Sequence, residues 1–478
     1  MEGYFINTIK TMKLFIFVFS LVLLTGCASF RPESLMPAQT AAVFEARTLT
    51  SPGLKKFLEK NLSHEISPWP PKFWDFTMLT LAAFYYNPDL DVARAKWGVT
   101  EAGITTAGAR PNPSVSFLDQ HHSKYAGGLS PWTLGAGLDI PVETAGKRGY
   151  RIQKARYLSR AARLNIAETA WKVRGHVRKG LLDIYSAMKM EGLLNVRLAI
   201  QQKIARLFEE RLAAGEASQF EATRSRLDLD KTRLLLSETQ KQGAKARAAL
   251  AGSLGLQTNA LDGIHIEFGP FEKTLEPIDL QDIRRKALSN RPDILAALSE
   301  YEASQSALQL EIARQYPDIH LGPGYEWDQG DNKWSLGFSV ELPVLNRNQG
   351  PIEEAEARRK ETAARFTVIQ AGAIGEINRS QAAYSGALEK LRVADSLMSA
   401  AGDHMRAIQA RFDSGEADRL ALEEARLEFS SAELSRLDAF TSAQNDLGLL
   451  EDAVQLPIAP SEFPSPAYGM DTGAEVDR

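Results

Sequence analysis

The feature that most constrains this chain is an internal duplication with a period of about 200 residues. The stretch 87–113, which begins "NPDL", aligns with the stretch 291–317, which begins "RPDI", at an offset of 204. "WTLGAGLDIPV" from Trp132 matches "WSLGFSVELPV" from Trp334 at an offset of 202, and "GEAS" and "GEAD" follow at an offset of 200. Landmarks in the same order at nearly constant spacing indicate a tandem duplication, so the fold consists of two copies of one unit.

Each copy reads as helix, strand, strand, long helix, tight turn and helix. Alternating apolar and polar residues predict strands at 114–124, 130–142, 318–328 and 333–344, although Phe117 and Leu118 interrupt the alternation in the first strand. Segments of about ten residues with one apolar face match tilted transmembrane strands. A hairpin packed on a soluble core would show the same alternation.

Very long helices follow each strand pair. Residues 149–213 and 350–414 carry no proline beyond the first turn, and a helix of that length extends about 100 Å. Gly215 and Gly415 are placed to let the chain reverse after these helices, which predicts long antiparallel hairpins. Apolar residues follow narrow coiled-coil stripes at Val173, Val177, Leu181, Ile184 and Met188, and in heptads at Phe220, Leu227 and Leu234 and again at Leu420, Leu427 and Leu434.

The N-terminus has the features of a secretory signal, with basic residues before a short apolar run from Leu14 to Leu24. The signal starts at Met1 or at Met12. "LTGC", ending at Cys27, resembles a bacterial lipobox, in which the cysteine carries the acyl chains. In lipoprotein sorting an alanine after that cysteine favours the outer membrane. Since Cys27 is the chain's single cysteine, intrachain disulfides and cysteine zinc sites are excluded.

The composition offers no support for nucleic-acid binding or enzyme chemistry. The formal charge of −4 is too balanced for a nucleic-acid partner. Phosphate loops and H-E-x-x-H or G-x-S-x-G motifs do not occur, and the carboxylates form no convergent pair. We predict that His121 and His122 lie at a strand end or in a loop and bind no metal, and that His320 lies on a polar strand face. No cofactor is expected.

Four membrane strands cannot close a barrel, and an open sheet edge is not tolerated in lipid. The chain must therefore oligomerise. The doubled "NPDL" and "RPDI" helices, the "PNPSVS" and "YPDIHL" strand starts, the strand-to-helix junctions and the glycine-centred turns together resemble the TolC-type outer-membrane efflux factors. "PVETAGKRG" (141–149) and "LPVLNRNQG" (342–350) resemble the heavy-metal-efflux branch, except that Leu345 stands where relatives usually carry Phe.

The resemblance implies a mainly α fold with membrane β-strands. Each protomer would be a tandem repeat whose long antiparallel helical hairpins join four transmembrane strands, and three protomers would share a twelve-stranded barrel. Such homotrimers are passive conduits rather than enzymes. They dock at their periplasmic tip on an adaptor (membrane fusion protein) and are driven by an inner-membrane RND transporter.

The resemblance also implies roles for particular residues. Glu423 and Glu424 correspond to acidic side chains that would gate the channel and favour cations, while ordinary solvated helix positions remain the alternative. Residues at the two turns would contact the adaptor: Arg211, Leu212, Gly215, Glu216, Ala217 and Ser218 in the first, and Arg411, Phe412, Gly415, Glu416, Ala417 and Asp418 in the second.

We divide the chain into a signal peptide (1–26), a lipidated N-terminal segment (27–75), two outer-membrane-efflux repeats (76–271 and 272–450) and a flexible tail (451–478). The predicted function is an outer-membrane exit channel, lipid-anchored and extended by a periplasmic tunnel, that exports heavy-metal cations. Multidrug efflux and type I secretion would use the same fold. A periplasmic coiled-coil scaffold lipoprotein is the alternative from a different class of protein.

Overall fold

The computed structural model describes residues 28–125, 127–279 and 281–458. The signal peptide, Cys27 and the tail beyond residue 458 lie outside these ranges. The chain divides into two units, one up to Arg47 and one from Thr48. The first unit contains helix α1 (Pro37–Glu45). The second contains α2 (Pro52–Leu62), α3 (Phe76–Tyr86), α4 (Pro88–Gly108), β1 (Ser114–His121), β2 (Trp132–Val142), α5 (Lys147–Ala213), α6 (Gln219–Leu254), two 3₁₀ turns (Thr258–Leu261 and Gly269–Glu272), α7 (Gln281–Asn290), α8 (Pro292–Ala313), β3 (Ile319–Asp328), β4 (Asp331–Val340), α9 (Gln349–Asp413) and α10 (Arg419–Val454).

The element order confirms the duplication, since α4-β1-β2-α5-α6 is repeated as α8-β3-β4-α9-α10. The fourth strand was predicted over 333–344 but spans Asp331–Val340. It starts earlier because Gln329 and Gly330, both with positive φ, form a two-residue hairpin turn. It ends earlier because Val340 pairs with Ile319, the first residue of β3. Pro343, which has no N–H to donate, lies beyond the ladder.

The four strands form one antiparallel sheet in the order β1-β2-β3-β4, so the β2–β3 pair joins the two repeats. Its register places alternate residues on opposite faces. One face carries Trp334, Leu336 and Phe338, each about 80% exposed. On the other face, a central row of small residues crosses all four strands through Ser116, Gly137, Gly324 and Ser335.

The interruption at Phe117 and Leu118 has a simple explanation. Phe117 pairs with Ala136 on the apolar face, whereas Leu118 pairs with Gly135 on the polar face. A Cβ at Gly135 would lie 3.2 Å from the Leu118 Cβ. The missing side chain of the glycine therefore gives the leucine its space on a face that otherwise carries small and polar groups.

The helices pack as two long hairpins, α5–α6 and α9–α10, with α10 also packed along α5. Val173, Val177 and Leu181 are buried as the predicted stripe requires. Met188, the last member of that stripe, is 47% exposed, so the stripe was predicted one turn too far. The apolar cluster around α5 ends near Tyr185, whose ring packs against Phe271.

The two heptads have different environments although their sequences match. Leu420 is buried against Ile200 and Ile204 of α5, and Leu427 packs on the same cluster. The corresponding Phe220 on α6 is 73% exposed. Leu227 and Leu234 on α6 are also exposed. The α10 stripe is therefore covered within the chain, whereas the α6 stripe faces outward.

The final helix continues to Val454, four residues into the segment predicted as a flexible tail. Ala453 and Val454 are fully buried in a cluster with Ile377 and Tyr384, and this burial extends the helix. Among the described residues, no helix is both long enough and apolar enough to cross a bilayer.

A buried ionic network links α5 to α10 and thus joins the repeats. Arg174 donates to Glu451 at 2.8 Å, and Arg178 donates to the Gln444 carbonyl at 2.7 Å. All four residues are more than nine-tenths buried. Gly448 leaves room for the Arg178 guanidinium, because a Cβ there would overlap it. Sequence reasoning missed this network, although arginines beside Val173 and Val177 on a packing stripe were a usable signal.

Asp452 makes stability depend on pH. Burial raises the pKa of this carboxyl from 3.8 to about 6, although Arg174 acts in the opposite direction. The folded chain therefore holds a proton that the unfolded chain has already lost between pH 4 and pH 6, so stability falls as pH rises through that window. We expect Asp452→Asn to remove this dependence, worth on the order of 3 kcal/mol. Thermal melting at pH 4.5 and 7 tests this; an unchanged pH slope in the variant would contradict it.

Candidate functional site

The two turns between the long helices have the same geometry. Gly215 and Gly415 adopt φ values of 75° and 79°, the left-handed conformation that favours glycine. In each turn the next backbone N–H reaches back into the helix, from Glu216 to the Arg211 carbonyl at 2.8 Å and from Glu416 to the Arg411 carbonyl at 2.7 Å. The glycines are therefore required by backbone conformation, as the sequence predicted.

The helices after the turns begin with capping side chains. Ser218 accepts a hydrogen bond from the backbone N–H of Glu221, whose carboxylate in turn accepts from Ser218. Asp418 accepts from the backbone N–H of Ala421 at 2.7 Å. That hydrogen bond, with a smaller contribution from Arg211, lowers the pKa of Asp418. Both caps stabilise the first turn of their helix.

The structure brings the two turns together. Arg211 in the first turn lies 2.5 Å from the Asp418 carboxylate in the second, whereas Arg411 lies 4.0 Å from Glu416 of its own turn. The predicted contact residues are all exposed or half-buried: Arg211, Leu212, Gly215, Glu216, Ala217, Ser218, Arg411, Phe412, Gly415, Glu416, Ala417 and Asp418.

The two candidate gate residues have different environments. Glu423 is buried, with its carboxylate 3.0 Å from Arg426 and 3.6 Å from Lys203 of α5. Glu424 is exposed. In this arrangement Glu423 pairs with basic groups between helices, so Glu424 is the carboxylate that is free to face solvent.

The polar face of the sheet carries charged groups on either side of the row of small residues. His320 lies there, as predicted, with Nδ1 3.0 Å from the Asp139 carboxylate. Toward the β3–β4 turn, Thr133 donates to Asp328 and Lys333 lies 2.5 Å from the same carboxylate. This face of the sheet is therefore suited to contact water.

The histidines at the strand end have local partners. His121 stacks edge-on against Trp132, and His122 lies 2.8 Å from the Thr133 hydroxyl. Among the described residues, no group of three or more His, Cys, Asp or Glu side chains is arranged to hold a metal ion.

The strand-to-helix junctions match between the repeats. Gly146 and Asn348 occupy corresponding positions before α5 and α9, and both have left-handed backbone conformations. In the first junction Lys147 is buried and lies 2.7 Å from Asp318 at the start of β3. This ion pair, which the sequence did not predict, fixes the first junction to the second repeat.

One antiparallel sheet joined to two long helical hairpins, with the unit of helix, two strands and two helices present twice, defines the fold class of this protein. The family model of outer membrane efflux proteins matches residues 82–256 and 283–454. The chain belongs to this family.

Three relatives share limited sequence identity with this chain. The cobalt-zinc-cadmium resistance protein CzcC of Cupriavidus metallidurans is 28% identical over 56% of this chain and 63% of its own length. The probable outer membrane lipoprotein SilC of Salmonella typhimurium is 22% identical over 79% of this chain and 82% of its own. The pyoverdine export outer membrane protein OpmQ of Pseudomonas aeruginosa is 22% identical over 70% of this chain and 75% of its own length. The match to CzcC thus spans less than two thirds of that relative.

Solved structures show the same fold. The outer-membrane channel OprN superimposes with a TM-score of 0.65 at 18% identity, covering 91% of this chain and all of that one. CusC superimposes with a TM-score of 0.64 at 17% identity, covering 89% of this chain and 99% of that one. The resemblance to TolC-type outer-membrane efflux factors that was inferred from the sequence is confirmed.

Proposed function

We propose that this protein is the outer-membrane exit channel of a tripartite efflux system. The observation that carries the proposal is the four-stranded sheet, which exposes one apolar face and whose edge strands, β1 and β4, pair with no further strand among the residues that the structure describes. Such a sheet is stable in lipid only if other copies close it into a barrel. The long hairpins would then extend the barrel as a tunnel in the periplasm.

The internal duplication supports a closed ring of copies. Within the chain, α10 of the second repeat packs on α5 of the first. The equivalent contact, α6 on α9, has no such packing in the described part of the chain, and Phe220 and Leu234 on α6 are over 70% exposed. In a closed ring, α6 of one copy would pack on α9 of a neighbouring copy, and β1 of one copy would pair with β4 of its neighbour. With four strands per copy, the homotrimer implied by the family resemblance gives twelve strands.

Heavy-metal cations are the proposed substrate. CzcC, a cobalt-zinc-cadmium resistance protein, supports this proposal. OpmQ, a pyoverdine exporter, is similar over more of this chain, so export of organic molecules is the second candidate. A type I secretion duct shares the architecture and differs in its partners.

The turns and the N-terminus supply the remaining contacts in this proposal. The exposed turn residues would dock on a periplasmic adaptor that connects to an inner-membrane RND transporter. Acylation of Cys27 would anchor the chain in the outer membrane, consistent with the resemblance to a lipobox and with the lipoprotein name of SilC.

A deletion strain grown with Zn, Co, Cd, Ni, Cu and Ag salts, and with dyes and antibiotics, tests the substrate. We expect lower tolerance to at least one divalent metal, restored by the gene in trans. Unchanged metal tolerance with increased drug sensitivity would contradict the metal assignment and favour organic export.

The contact between the turns yields a prediction about closure. Asp418→Ala removes the ion pair with Arg211 and the hydrogen bond from the Ala421 N–H that caps α10. Loss of the cap lowers the free energy of unfolding by about 1 kcal/mol. We expect larger single-channel conductance in planar bilayers, because the two hairpins would no longer be tied at their ends. Ser218→Ala is the matched control, since it removes a cap but no contact between turns. Equal conductance of wild type and Asp418→Ala would argue against closure by this pair.

A further inference from the structure

The first turns of α5 are strongly basic, and the equivalent turns of α9 are not. Residues 147–166 contain seven Lys or Arg and no Asp or Glu, whereas residues 349–368 contain four of each sign. In the second repeat the charges neutralise one another, as in Arg358 with Glu354 at 2.5 Å and Arg365 with Glu361 at 2.8 Å. Helix formation does not explain this asymmetry, because both repeats form the same helix.

Three of the basic side chains share one face of α5. We call Arg156, Arg160 and Arg163 the arginine ladder; all three are exposed. Neither Arg156 nor Arg160 forms an ion pair or side-chain hydrogen bond with a described residue, and Arg163 lies 5.9 Å from the Trp97 ring. The ladder is therefore a set of exposed positive charges without compensating carboxylates.

The same face of α5 is covered farther along the helix. Eighteen residues make five helical turns, so Arg156 and Arg160 share azimuths with Arg174 and Arg178. Those two arginines lie over the rings of Phe76 and Phe271, at 5.2 and 5.5 Å. The proposed function requires the long helices to line a tunnel. The segments that carry Phe76 and Phe271 and pack over α5 would then lie outside that tunnel. Arg174 and Arg178 also bond to Glu451 and Gln444 of α10. The arginine ladder therefore lies on the outer flank of α5, on its α10 side, between this cover and the membrane sheet.

A neighbouring copy would not cover the ladder. Helix α5 is flanked by α4 and α8 of its own chain. The contacts left open to other copies lie on α6, α9, β1 and β4 instead. The ladder therefore stays exposed in a closed ring.

The position of the ladder favours phosphate groups at the membrane surface. Arg156 lies about 14 Å and Arg160 about 20 Å along the axis from Lys147, the first residue of α5. Side chains on a helix lean toward its N-terminus, which here is the membrane end. Attraction between opposite charges is largely screened beyond a Debye length of about 8 Å at physiological ionic strength, so Arg156, which lies nearer the membrane end of the helix, contributes most.

We propose that the arginine ladder binds the anionic phospholipid headgroups of the inner leaflet of the outer membrane. This inference rests on the proposed channel function, because that function sets which face is outside. Each basic residue near an anionic surface contributes about five-fold in affinity. The second repeat, neutral at the same height, would make little contribution, so lipid would bind at one face per protomer.

The experiment compares the purified, lipidated full chain with Arg156→Gln/Arg160→Gln, measuring retained phosphatidylglycerol by native mass spectrometry from mixed phosphatidylglycerol and phosphatidylcholine micelles. We expect the double variant to bind phosphatidylglycerol at least five-fold more weakly, and wild-type binding to weaken with salt. Arg358→Gln/Arg359→Gln, which removes the same charge from the second repeat, is expected to bind like wild type.

Equal phosphatidylglycerol retention by the wild type and the ladder variant would overturn the proposal. Competition by inorganic phosphate at matched ionic strength that is as strong as competition by phosphatidylglycerol would overturn the assignment to lipid. Planar-bilayer conductance of the same variant separates this test from that of the channel. Wild-type conductance together with unchanged lipid retention would reject the ladder and leave the channel function intact.

Discussion

Replacing Leu336 by arginine is expected to abolish trimers in outer-membrane fractions. Leu336 lies in the middle of β4, is 79% exposed and shares the apolar face with Trp334 and Phe338. If that face contacts lipid, each arginine at the bilayer midplane costs about 2–4 kcal/mol, and a trimer would contain three. The measurement is the amount of heat-modifiable oligomer on seminative gels.

The adjacent Ser335→Arg is the matched control. Ser335 is opposite Gly324 on the polar face, where an arginine would extend into water. We expect it to assemble at close to the wild-type level. Equal assembly of both variants would mean that the apolar face does not contact lipid.

Replacing Glu451 by alanine is expected to cause the largest loss of stability in the helical region. Glu451 is 4% exposed and accepts a hydrogen bond from the buried Arg174. It also lies 3.7 Å from Arg178, whose pKa is lowered by burial. Removing one partner leaves buried positive charge uncompensated, which typically costs about 3–5 kcal/mol. Thermal melting of the purified protein at pH 7 measures the effect.

Asp183→Ala supplies the comparison. Asp183 pairs with Lys179 at 2.9 Å on the same helix, but the two side chains are 43% and 63% exposed. Exposed pairs at this spacing contribute about 0.5 kcal/mol or less. A loss at Glu451 no greater than the loss at Asp183 would show that the network does not hold the repeats together.

Much of the fold could be predicted because duplication and periodicity are local signals. Gly215 and Gly415 mark turns that need positive φ, and strict alternation around Trp334 assigned the faces of β4 correctly. The strand ends were predicted less accurately, because a strand ends where its partner strand ends. Val340 is the last residue of β4 because it pairs with Ile319, the first residue of β3.

The remaining features depend on contacts that no single segment encodes. Phe220 and Leu420 occupy equivalent heptad positions, yet Phe220 is exposed and Leu420 is buried, because the stripe that contains Leu420 packs against α5, whereas the stripe that contains Phe220 lies on a face of α6 that no described helix covers. Glu423 was predicted to be a gate residue from the family resemblance and from its position shortly after the second turn. Its pairing with Lys203 brings together residues 220 positions apart and becomes visible only when the hairpins pack.

The central claim is that copies of this chain form a membrane-spanning conduit. The most direct measurement is ion conductance across planar bilayers by the protein purified from outer membranes, with its heat-modifiable oligomer assayed in parallel and Cys27→Ser, which prevents acylation, included. We predict discrete conductance steps from the wild type and retention of the unacylated protein in membranes. Release of Cys27→Ser as soluble monomers, with no conductance from the wild type, would contradict the account.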